Sequence, residues 1–400
     1  MFSHRKSLIL FYLFEFEQNV RSTAIALHPE YPTRRQNEGR FFTFSFLKLI
    51  GMKKIVKQVV GIDVAQKELV VCLGRMYDDW TPDLYGYKTF ANTDKGFMTL
   101  LLWVKKLTDE TIGIRYVMEA TGVYHESLAY FLDEKGYEVS IVLPNKISNY
   151  FRTLDVKTIT DKTASEAIAR FGLERKLDTW KRPKPVFKKL RQLTRERDQI
   201  VEERTMVKNQ LHAEQTEAEP NKRSIKRIQE RIKMLNKQEK DIKDEVAILI
   251  KDNDEIAKLV IIICSLTGVG LLTTAIVLAE TNGFELIRNK RQLASYAGFD
   301  IIEKQSGTSV KGKPRISKKG NRHLRKAMHL PALCAIRCDE RFKAIFARLV
   351  AKHGIKMKAA VAVQRKMLEM IYTLYKTGKK YEKNYLKKDD IKAEQQVLVA

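Results

Sequence analysis

The sequence predicts an α/β domain with a mixed β-sheet, followed by a long antiparallel helical hairpin and an all-α C-terminal domain. Apolar strand segments alternate with capped, amphipathic helix segments between residues 55 and 180. Charged helix formers dominate from 186 to 258, where apolar residues recur at spacings of three and four. From 259 to 380 the chain is helical and basic. The expected organisation is a leader at 1–51, domains at 52–185, 186–258 and 259–380, and a tail at 381–400.

The order of elements in the first domain narrows its fold. The strand segments are IVKQVVGIDVA, ELVVCLGRM, GYKTFAN, IRYVMEA and YEVSIVLP. The helix segments are NTDKGFMTLLLWVKKL, with Asn92 as the expected N-cap, HESLAYFLDEKG and TASEAIARFGLERKL. Three strands, a helix, and then strand, helix, strand and helix is the order of an RNase H-like domain, although other α/β sheets also fit it.

The middle region has the pattern of an antiparallel coiled-coil hairpin. The second arm carries a seam with one polar interruption: Ile225, Ile228, Ile232, Leu235, Glu239, Ile242, Val246 and Leu249. Pro220 separates the two arms, each of about 31 residues and roughly 46 Å long. Such a hairpin is either a solvated strut or a dimer contact, and its length favours the dimer contact.

The first 51 residues carry no clear periodicity and no motif. An apolar run near the start imitates a signal peptide, but Glu15 and Glu17 interrupt its end. Met52 opens a regular strand pattern, so we expect translation to begin there and 1–51 to be dispensable. No segment reaches the roughly 18 apolar residues of a membrane span, and the cysteines form no CxxC pair. These features predict a cytoplasmic protein without a membrane segment.

The charge balance predicts a polyanionic partner. The chain has 74 lysines and arginines against 48 aspartates and glutamates, a net charge of +26. Such an excess is typical of nucleic-acid binding, although a basic protein without that partner has the same composition. Between 285 and 326 there are 12 basic residues and 3 acidic ones, so this segment is the expected contact.

Three carboxylates occupy positions that suit a metal site. Asp63 ends the first strand, Glu119 ends the fourth, and Asp161 opens the last helix of the first domain. In an RNase H-like sheet those two strands are neighbours, so the three acids would meet at one edge. Hard oxygen ligands suit Mg²⁺, and paired ions stabilise both reacting oxygens in phosphoryl transfer. Each acid alone is better explained as a turn residue, a solvated acid or a helix cap; their order favours the site.

The basic segment between Lys304 and Asn321 has the composition of a phosphate-binding loop. Ser306 lies in it as a candidate nucleophile that neighbouring cations and a metal-bound phosphate would activate. The candidate phosphate contacts are Lys311, Lys313, Arg315, Lys318 and Lys319. A solvated basic loop without chemistry is the alternative.

A further candidate phosphate contact lies in the segment LTGVGLLTTAIVLAE. Gly268 and Gly270 separate two apolar helices there, as in a helix–hairpin–helix motif whose glycines expose backbone N–H groups. A tight turn between two core helices explains the same glycines about as well.

Six motifs in order carry a resemblance to a known family. They are GIDVAQKEL, MEATGVY, KTITDKTASEAIARFG, LTGVGLLTTAIVLAE, QLASYAGF and QSGTSVKGKPRISKKGNRHLRKAMHLPAL. Together they span about 55–380 and resemble the insertion-sequence 110 family of transposases, the bridge-RNA-guided recombinases. The resemblance implies a RuvC-like domain, a coiled coil and a helical transposase domain. It also implies a site of four acids and a serine that forms a covalent phosphoserine link with DNA.

The residues of the family's site have matching residues in this chain, except for one of the four acids. By the resemblance, Asp63, Glu119 and Asp161 match the first three acids, and Ser306 matches the nucleophile. The family has its fourth acid three residues after the third, where this chain has Ala164.

The neighbours of Ala164 are poor substitutes for an acid. Positions 161 and 164 share a helix face, so two acids at these positions could coordinate the same metal site. Ser165 offers only a neutral hydroxyl, and Glu166 is turned about 140° away from Asp161 on a helix. The sequence therefore predicts a copy that is impaired in cleavage.

The resemblance predicts an RNA-guided DNA recombinase with Mg²⁺ as cofactor. Its expected partners are a structured noncoding guide RNA, donor and target DNA duplexes, and further copies of itself in a dimer or tetramer. A metal-dependent nuclease or junction resolvase that uses water as nucleophile is the first alternative. A non-catalytic nucleic-acid-binding protein is the second, because Ala164 and the charge permit it.

Overall fold

The computed structural model has two compact units, one ending at Arg182 and one beginning at Pro183. The described residues are 53–154, 156, 158, 160–285, 287–303, 305–306, 310–312 and 314–383, without the side chains of Ser306, Val310 and Lys311. The expectations for the leader at 1–51 and for residues 384–400 of the tail lie outside them. Every helix among the described residues is too short or too polar to span a bilayer.

Among its described residues, the first unit is built on a five-stranded mixed sheet. The strands are β1 (Ile55–Val64), β2 (Glu68–Tyr77), β3 (Pro82–Ala91), β4 (Ile114–Glu119) and β5 (Glu138–Val142). Their order is β3-β2-β1-β4-β5, with β2 antiparallel to β1 and β3, and with β1, β4 and β5 parallel. Short connections make hairpins of the first three strands, whereas helical crossovers make the last two parallel. This topology fits an RNase H-like α/β domain.

The described helices of this unit cover both faces of the sheet. They are α1 (Asp94–Leu107), α2 (Glu126–Glu134), α3 (Pro144–Phe151) and α4 (Asp161–Glu174), of which α3 was not predicted. Neighbouring residues of β1 point to opposite faces, as strand geometry requires. Val60 belongs to the core beneath α1 and α2, whereas Val59 packs with Ile168 and Leu173 of α4.

Helix α4 packs directly on the backbone of strand β1 at Gly61. A Cβ atom built on Gly61 would lie 2.3 Å from the Ala169 nitrogen and 2.6 Å from its Cα atom. A Cβ atom on Gly172 of α4 would lie 2.7 Å from Val59 Cγ1 and 2.9 Å from Val117 Cγ2. Small residues therefore set the distance between helix and strand, and this distance positions the start of α4 relative to the end of β1.

Gly61→Ala is expected to lower the free energy of unfolding by about 1–3 kcal/mol, because the added methyl group meets backbone atoms that cannot rotate away. Gly113→Ala is the matched control, since a Cβ atom there meets nothing within 4 Å. The control should change stability by less than about 0.5 kcal/mol. Urea denaturation of both variants measures the difference. Equal stability of the two would show that α4 shifts on the sheet without cost.

The second unit begins with two long helices, α5 (Pro185–Thr216) and α6 (Lys222–Lys251). They pack against each other and run antiparallel. The ion pairs between them show this direction, since the residue numbers rise along α5 while those of the partners on α6 fall. These pairs are Lys189–Glu245, Arg197–Glu239 and Glu203–Arg231. The buried residues of α6 are Leu235, Glu239, Ile242, Val246 and Ile250, four of which belong to the predicted seam. Coiled-coil geometry and a dimer contact stay predictions.

Glu239, the polar interruption of the seam, is a buried carboxylate held by three cations. Its side chain is 7% exposed and pairs with Arg197 at 2.9 Å, with Lys243 at 2.8 Å and with Arg204. Burial alone would raise the pKa of Glu239. Hydrogen bonds from Lys243, Arg197 and Arg204 outweigh burial and lower the pKa from 4.5 to about 2. The ionised carboxylate therefore stabilises the helix pair.

Glu239→Gln is expected to reduce the free energy of unfolding at neutral pH by about 3 kcal/mol, because three cations lose their anionic partner. Since the pKa is lowered in the folded state, this stabilisation is complete above pH 4.5 and is lost as the pH falls toward about 2. Urea denaturation should therefore show a difference between variant and parent that shrinks on acidification. The half-exposed Glu245, paired with Lys189 at 3.5 Å, provides the control variant Glu245→Gln. A difference independent of pH would assign the loss to packing.

The remainder of the second unit is mainly helical. Its described helices are α7 (Asp254–Cys264), α8 (Leu271–Glu280), α9 (Lys290–Ala297), α10 (Arg322–Ala327), α11 (His329–Cys338), α12 (Glu340–His353) and α13 (Lys356–Thr377). They enclose a core with α5 and α6 that includes Phe284, Phe299 and Phe342.

The expectation of an all-α C-terminal domain is wrong for one segment. Among the residues described between α9 and α10 there are four two-residue strands: β6 (Ile301–Ile302), β7 (Gln305–Ser306), β8 (Val310–Lys311) and β9 (Arg315–Ile316). They form the antiparallel pairs β6–β9 and β7–β8. Glycine, serine and β-branched residues in this stretch disfavour a helix and permit the paired extended backbone. We call residues 299–321 the serine ribbon.

Candidate active site

The two strand-end acids lie at the same edge of the sheet. Asp63 is the next-to-last residue of β1, and Glu119 is the last residue of β4. The parallel register of these neighbouring strands pairs Ile62 with Met118, so the next residue on each strand is one of the acids. The β1–β4 pairing therefore brings Asp63 and Glu119 together, as the predicted strand order requires.

Asp161 reaches this edge from the first turn of α4. The N-cap is Thr160, whose hydroxyl accepts a hydrogen bond from the Thr163 N–H at 3.2 Å. The Thr163 hydroxyl in turn accepts from the Thr160 N–H at 2.8 Å, which completes a capping box. The alternative that Asp161 serves as the helix cap is therefore wrong, and its exposed carboxylate is not used in capping.

Asp63 interacts electrostatically with each of the other two acids. Burial and then the negative charge of Asp161 raise the pKa of Asp63, against a smaller lowering by a backbone hydrogen bond from Val64. Burial and then the negative charge of Asp63 raise the pKa of Glu119. Each interaction disfavours the charged form, so the site gains from a cation that neutralises it.

The donor chemistry of this edge fits a hard divalent cation, since all three groups are carboxylates in a partly buried, negatively charged setting. The acids interact in pairs and do not form a closed cage. Within the described ranges, no three His, Cys, Asp or Glu side chains lie close enough together to hold one metal ion. Asp63, Glu119 and Asp161 stay the predicted ligands. As described, the edge offers a cation a pair of carboxylates, Asp63 with Asp161 or Asp63 with Glu119, and the rest of its shell would come from other ligands.

Ala164 lies in the first turn of α4, where its N–H donates to the Thr160 carbonyl at 2.8 Å. The two polar residues that follow it are engaged elsewhere. Ser165 is fully buried, and its hydroxyl donates to the Lys162 carbonyl at 2.8 Å. Glu166 pairs with Lys162 at 4.0 Å. Its negative charge also contributes, after burial, to raising the pKa of the Cys72 thiol to about 12. Neither side chain replaces a fourth acid.

Asn92 joins the two connections that follow the acid-bearing strands. Its side-chain amide donates to the Ala65 carbonyl at 2.9 Å and to the Tyr124 carbonyl at 3.2 Å. Ala65 lies two residues after Asp63, and Tyr124 lies five residues after Glu119. One amide group thereby links the two loops that follow the acid-bearing ends of β1 and β4.

The bridging role of Asn92 was missed because an Asn-Thr pair before a helix has the pattern of an N-cap. The expectation that Asn92 caps α1 is wrong. Thr93 is the cap, and its side chain accepts from the Gly96 N–H at 3.3 Å. Both partners of the Asn92 side chain are remote in sequence, so no local pattern indicates them.

Ser306 lies in the second unit, in the inner pair of strands of the serine ribbon. Its backbone pairs with Val310, and Gln305 pairs with Lys311. The outer pair joins Ile301 to Ile316 and Ile302 to Arg315. The segment that the sequence indicates as a basic loop is therefore, where it is described, a two-stranded ribbon.

All five basic residues predicted as phosphate contacts belong to the serine ribbon. Arg315, Lys318 and Lys319 are exposed, and Lys318 has a left-handed backbone with φ of 53°. Lys311 is described only by its backbone in β8, and Lys313 lies outside the described residues. The exposed cations therefore lie in β9 and in the residues just after it, on the C-terminal side of Ser306.

Packing accounts for Gly268. It has φ of 88°, and a Cβ atom there would lie 2.5 Å from the Pro331 carbonyl oxygen of α11. The tight turn between core helices, which was the alternative, therefore explains this residue. Gly270 is the N-cap residue of α8, and a Cβ atom there would meet nothing within 4 Å. Gly270 stays a candidate for backbone contact with a phosphate.

Comparison with known protein families identifies two matching profiles. Residues 60–220 match a family described as the DEDD transposase of IS110. Residues 261–347 match a family described as the transposase of the IS116/IS110/IS902 family. The first profile covers all three acids, and the second covers the serine ribbon.

Two curated proteins illustrate the likeness. The pilin gene-inverting protein of Moraxella bovis is 26% identical over 329 residues, which are 82% of this chain and 98% of that protein. The insertion element IS110 uncharacterized 43.6 kDa protein of Streptomyces coelicolor is 29% identical over 121 residues, 30% of each chain. Among solved structures, Thermus thermophilus RuvC in complex with a Holliday junction substrate matches with a TM-score of 0.24 and 10% identity. That match covers 31% of this chain and 99% of RuvC.

Proposed function

Since the chain belongs to the IS110 family of transposases, we propose that it performs RNA-guided cleavage and exchange of DNA strands at the ends of an insertion sequence. The observation that supports this proposal is that Asp63 and Glu119 end neighbouring parallel strands at one sheet edge, with Asp161 near enough to raise the pKa of Asp63. Carboxylates that raise one another's pKa at such an edge are typical of sites for phosphoryl transfer. The chain's strong positive charge supports nucleic-acid partners.

The proposed nucleophile is Ser306. Its oxygen bonds to a DNA phosphorus, the bond from phosphorus to the oxygen of the departing strand breaks, and the serine proton ends on that oxygen. Asp63, Glu119 and Asp161 would hold Mg²⁺, which when bound supplies charge stabilisation to the phosphoryl group. The exposed cations of the serine ribbon hold the neighbouring phosphates.

The proposed partners follow from the same chemistry. Donor and target duplexes and a structured noncoding RNA bind the basic surfaces, and base pairing with the RNA selects the DNA sequence. The helix pair α5–α6 forms a coiled-coil contact between subunits of a dimer or tetramer. The functional regions are those predicted at 52–185, 186–258 and 259–380, in a protein of the bacterial cytoplasm.

We also propose that Ala164 impairs this copy. Ala164 supplies no carboxylate beside Asp161. The polar residues that follow it do not replace one, because the Ser165 hydroxyl donates to the Lys162 carbonyl and Glu166 is paired with the Lys162 side chain. Nucleic-acid binding does not use this position and is retained. A non-catalytic binding protein is the second candidate, and the same observation favours it.

A denaturing gel of protein, guide RNA and labelled DNA with Mg²⁺ tests the proposal. The expected result is a slow-migrating band in which the protein is covalently joined to DNA; this band should be faint or missing for the parent, strong for Ala164→Asp, and abolished when Ser306→Ala is added to Ala164→Asp. Cleaved DNA without this band would replace the proposal with the nuclease or resolvase that uses water. Binding without any cleavage, even after an acid is placed at position 164, would favour the non-catalytic protein.

A further inference from the structure

Glu280 is a buried carboxylate that the proposed reaction does not use. It is the last residue of α8, and its side chain is only 2% exposed. Arg195 of α5 donates to both carboxylate oxygens, at 2.8 and 3.0 Å, and the Asn321 amide donates to one of them at 2.6 Å. Burial alone would raise the pKa of Glu280, but the hydrogen bonds from Arg195 and Asn321 outweigh it and lower the pKa. An ionised carboxylate therefore joins α5, α8 and the end of the serine ribbon.

Asn321, the partner of Glu280, is the last residue of the serine ribbon and has its hydrogen-bonding groups engaged. Its backbone N–H donates to the Tyr296 carbonyl at 2.8 Å. Its side-chain oxygen accepts from the His323 and Leu324 N–H groups at 2.9 and 3.1 Å and thereby caps α10. Its side-chain amide is used by Glu280. The position of Asn321 is therefore fixed from three directions.

Cross-strand contacts hold the described parts of the ribbon between this fixed end and Ser306. The Lys318 N–H donates to the Gly298 carbonyl at 3.2 Å, and the Ser317 N–H donates to the Asp300 carbonyl at 2.8 Å. The β6–β9 pair follows, and the β7–β8 pair that contains Ser306 comes next. Because the steps from Asn321 to the β6–β9 pair are cross-strand hydrogen bonds and paired strands, a displacement at Asn321 reaches this pair, and β7 follows β6 along the chain.

Polar residues on one face of helix α5 contact α8 and α10, the two helices that hold Asn321. Arg191 donates to the Ala279 carbonyl at 3.1 and 2.9 Å, and Arg195 binds Glu280. Asp198 lies 3.5 Å from Lys326 of α10. Residues 191, 195 and 198 are spaced by four and three and therefore share a helix face.

We propose that Glu280 is a positioning residue that, through Asn321, sets the position of the Ser306-bearing ribbon relative to helix α5. This inference rests on the proposed function of Ser306. A purely structural role for the buried carboxylate makes a different prediction, because its loss would then loosen the whole unit and not the ribbon in particular.

A donor–acceptor exchange tests the link in the full-length protein. Asn321→Asp keeps the oxygen that caps α10 but removes the amide that donates to Glu280. Adding Glu280→Gln to this variant restores the hydrogen bond with its direction reversed, because the glutamine amide donates to the aspartate. Arg195 then keeps its bond to the other oxygen and loses the bond to the oxygen that the amide replaces. Asn221→Asp is the matched control, since Asn221 caps α6 through the same two kinds of bond, to Arg223 and Ser224, and is exposed.

Hydrogen–deuterium exchange provides a readout that does not depend on activity. Asn321→Asp should accelerate exchange of the serine-ribbon amides by about tenfold or more, without a matching change in α11 and α13. The double variant should return these rates to within about threefold of the parent, and Asn221→Asp should leave them unchanged. Unchanged ribbon rates in Asn321→Asp, equal acceleration throughout the unit, or no recovery in the double variant would overturn the proposal.

The covalent-product assay, run with Ala164→Asp in every variant, gives the second readout. Asn321→Asp should slow covalent joining by about tenfold while DNA affinity changes less than twofold, and the double variant should recover. If no variant, including the parent, forms a covalent product, the proposed function of Ser306 fails. The exchange rates then decide the role of Glu280 alone, so the two failures are distinguishable.

Discussion

Ala164→Asp is expected to raise Mg²⁺-dependent strand exchange by about a hundredfold or more without strengthening nucleic-acid binding. Metal stabilisation of transition-state charge amounts to several kcal/mol, and about 3 kcal/mol corresponds to more than a hundredfold in rate. The side chain would emerge from the first turn of α4, three residues after Asp161 and on the same helix face. An acid in the first turn also interacts favourably with the helix dipole, so the variant should fold.

The controls for this prediction separate charge from shape. Ala164→Asn has the same size as Ala164→Asp but brings no charge, so it should leave the exchange rate near that of the parent. Ser306→Ala, added to Ala164→Asp, should abolish the covalent protein–DNA product. The rates are measured with guide RNA and both DNA duplexes over a Mg²⁺ titration. A fully active parent, or no gain from the aspartate, would show that position 164 is not the fourth ligand. A covalent product that survives Ser306→Ala would move the nucleophile to another residue, with Ser309 the next candidate.

Replacing five cations of the serine ribbon with glutamine is expected to weaken nucleic-acid binding and to flatten its salt dependence. The residues are Lys311, Lys313, Arg315, Lys318 and Lys319. Each phosphate neutralised on duplex DNA contributes about 0.9 to the slope of log affinity against log salt concentration, so losing five contacts lowers the slope by up to about 4.5. Fluorescence anisotropy with labelled DNA at several salt concentrations measures both quantities.

A matched set of exposed lysines on α6 provides the control for this prediction. Lys222, Lys226, Lys233, Lys237 and Lys240 are changed together to glutamine, which removes five charges from the same unit. If the serine ribbon is the contact, the control keeps the steep slope. A flattened slope in the α6 variant, with no change in the ribbon variant, would transfer the contact to the helix pair.

The acidic site was predictable because its geometry follows from chain order. Once β1 and β4 are recognised as neighbouring parallel strands, their end residues Asp63 and Glu119 share an edge. The capping pattern before Asp161 also marks where α4 begins. These features depend on the spacing of apolar residues within each element and on the order of elements along the chain, both of which can be read from the sequence.

The supporting contacts were not predictable because their partners are distant along the chain. Asn92 bonds to carbonyls that are 27 and 32 residues away, and Glu280 bonds to Asn321 across 41 residues. The serine ribbon was also missed, since strands of two residues have no period to detect. Their pairing depends on the opposite strand and not on local propensity.

The close contact between Gly61 and Ala169 gives α4 a pivot. Asp161 lies eight residues before Ala169, about 12 Å along the helix axis. A tilt of about 10° around this pivot displaces Asp161 by about 2 Å, which is the length of one magnesium–oxygen bond. Ile168 is adjacent to the pivot and Leu173 lies about 6 Å beyond it, so the same tilt moves these buried residues by about 0.3 Å and about 1 Å. The spacing of the three acids is therefore more sensitive to helix tilt than the packing of the core beneath α4.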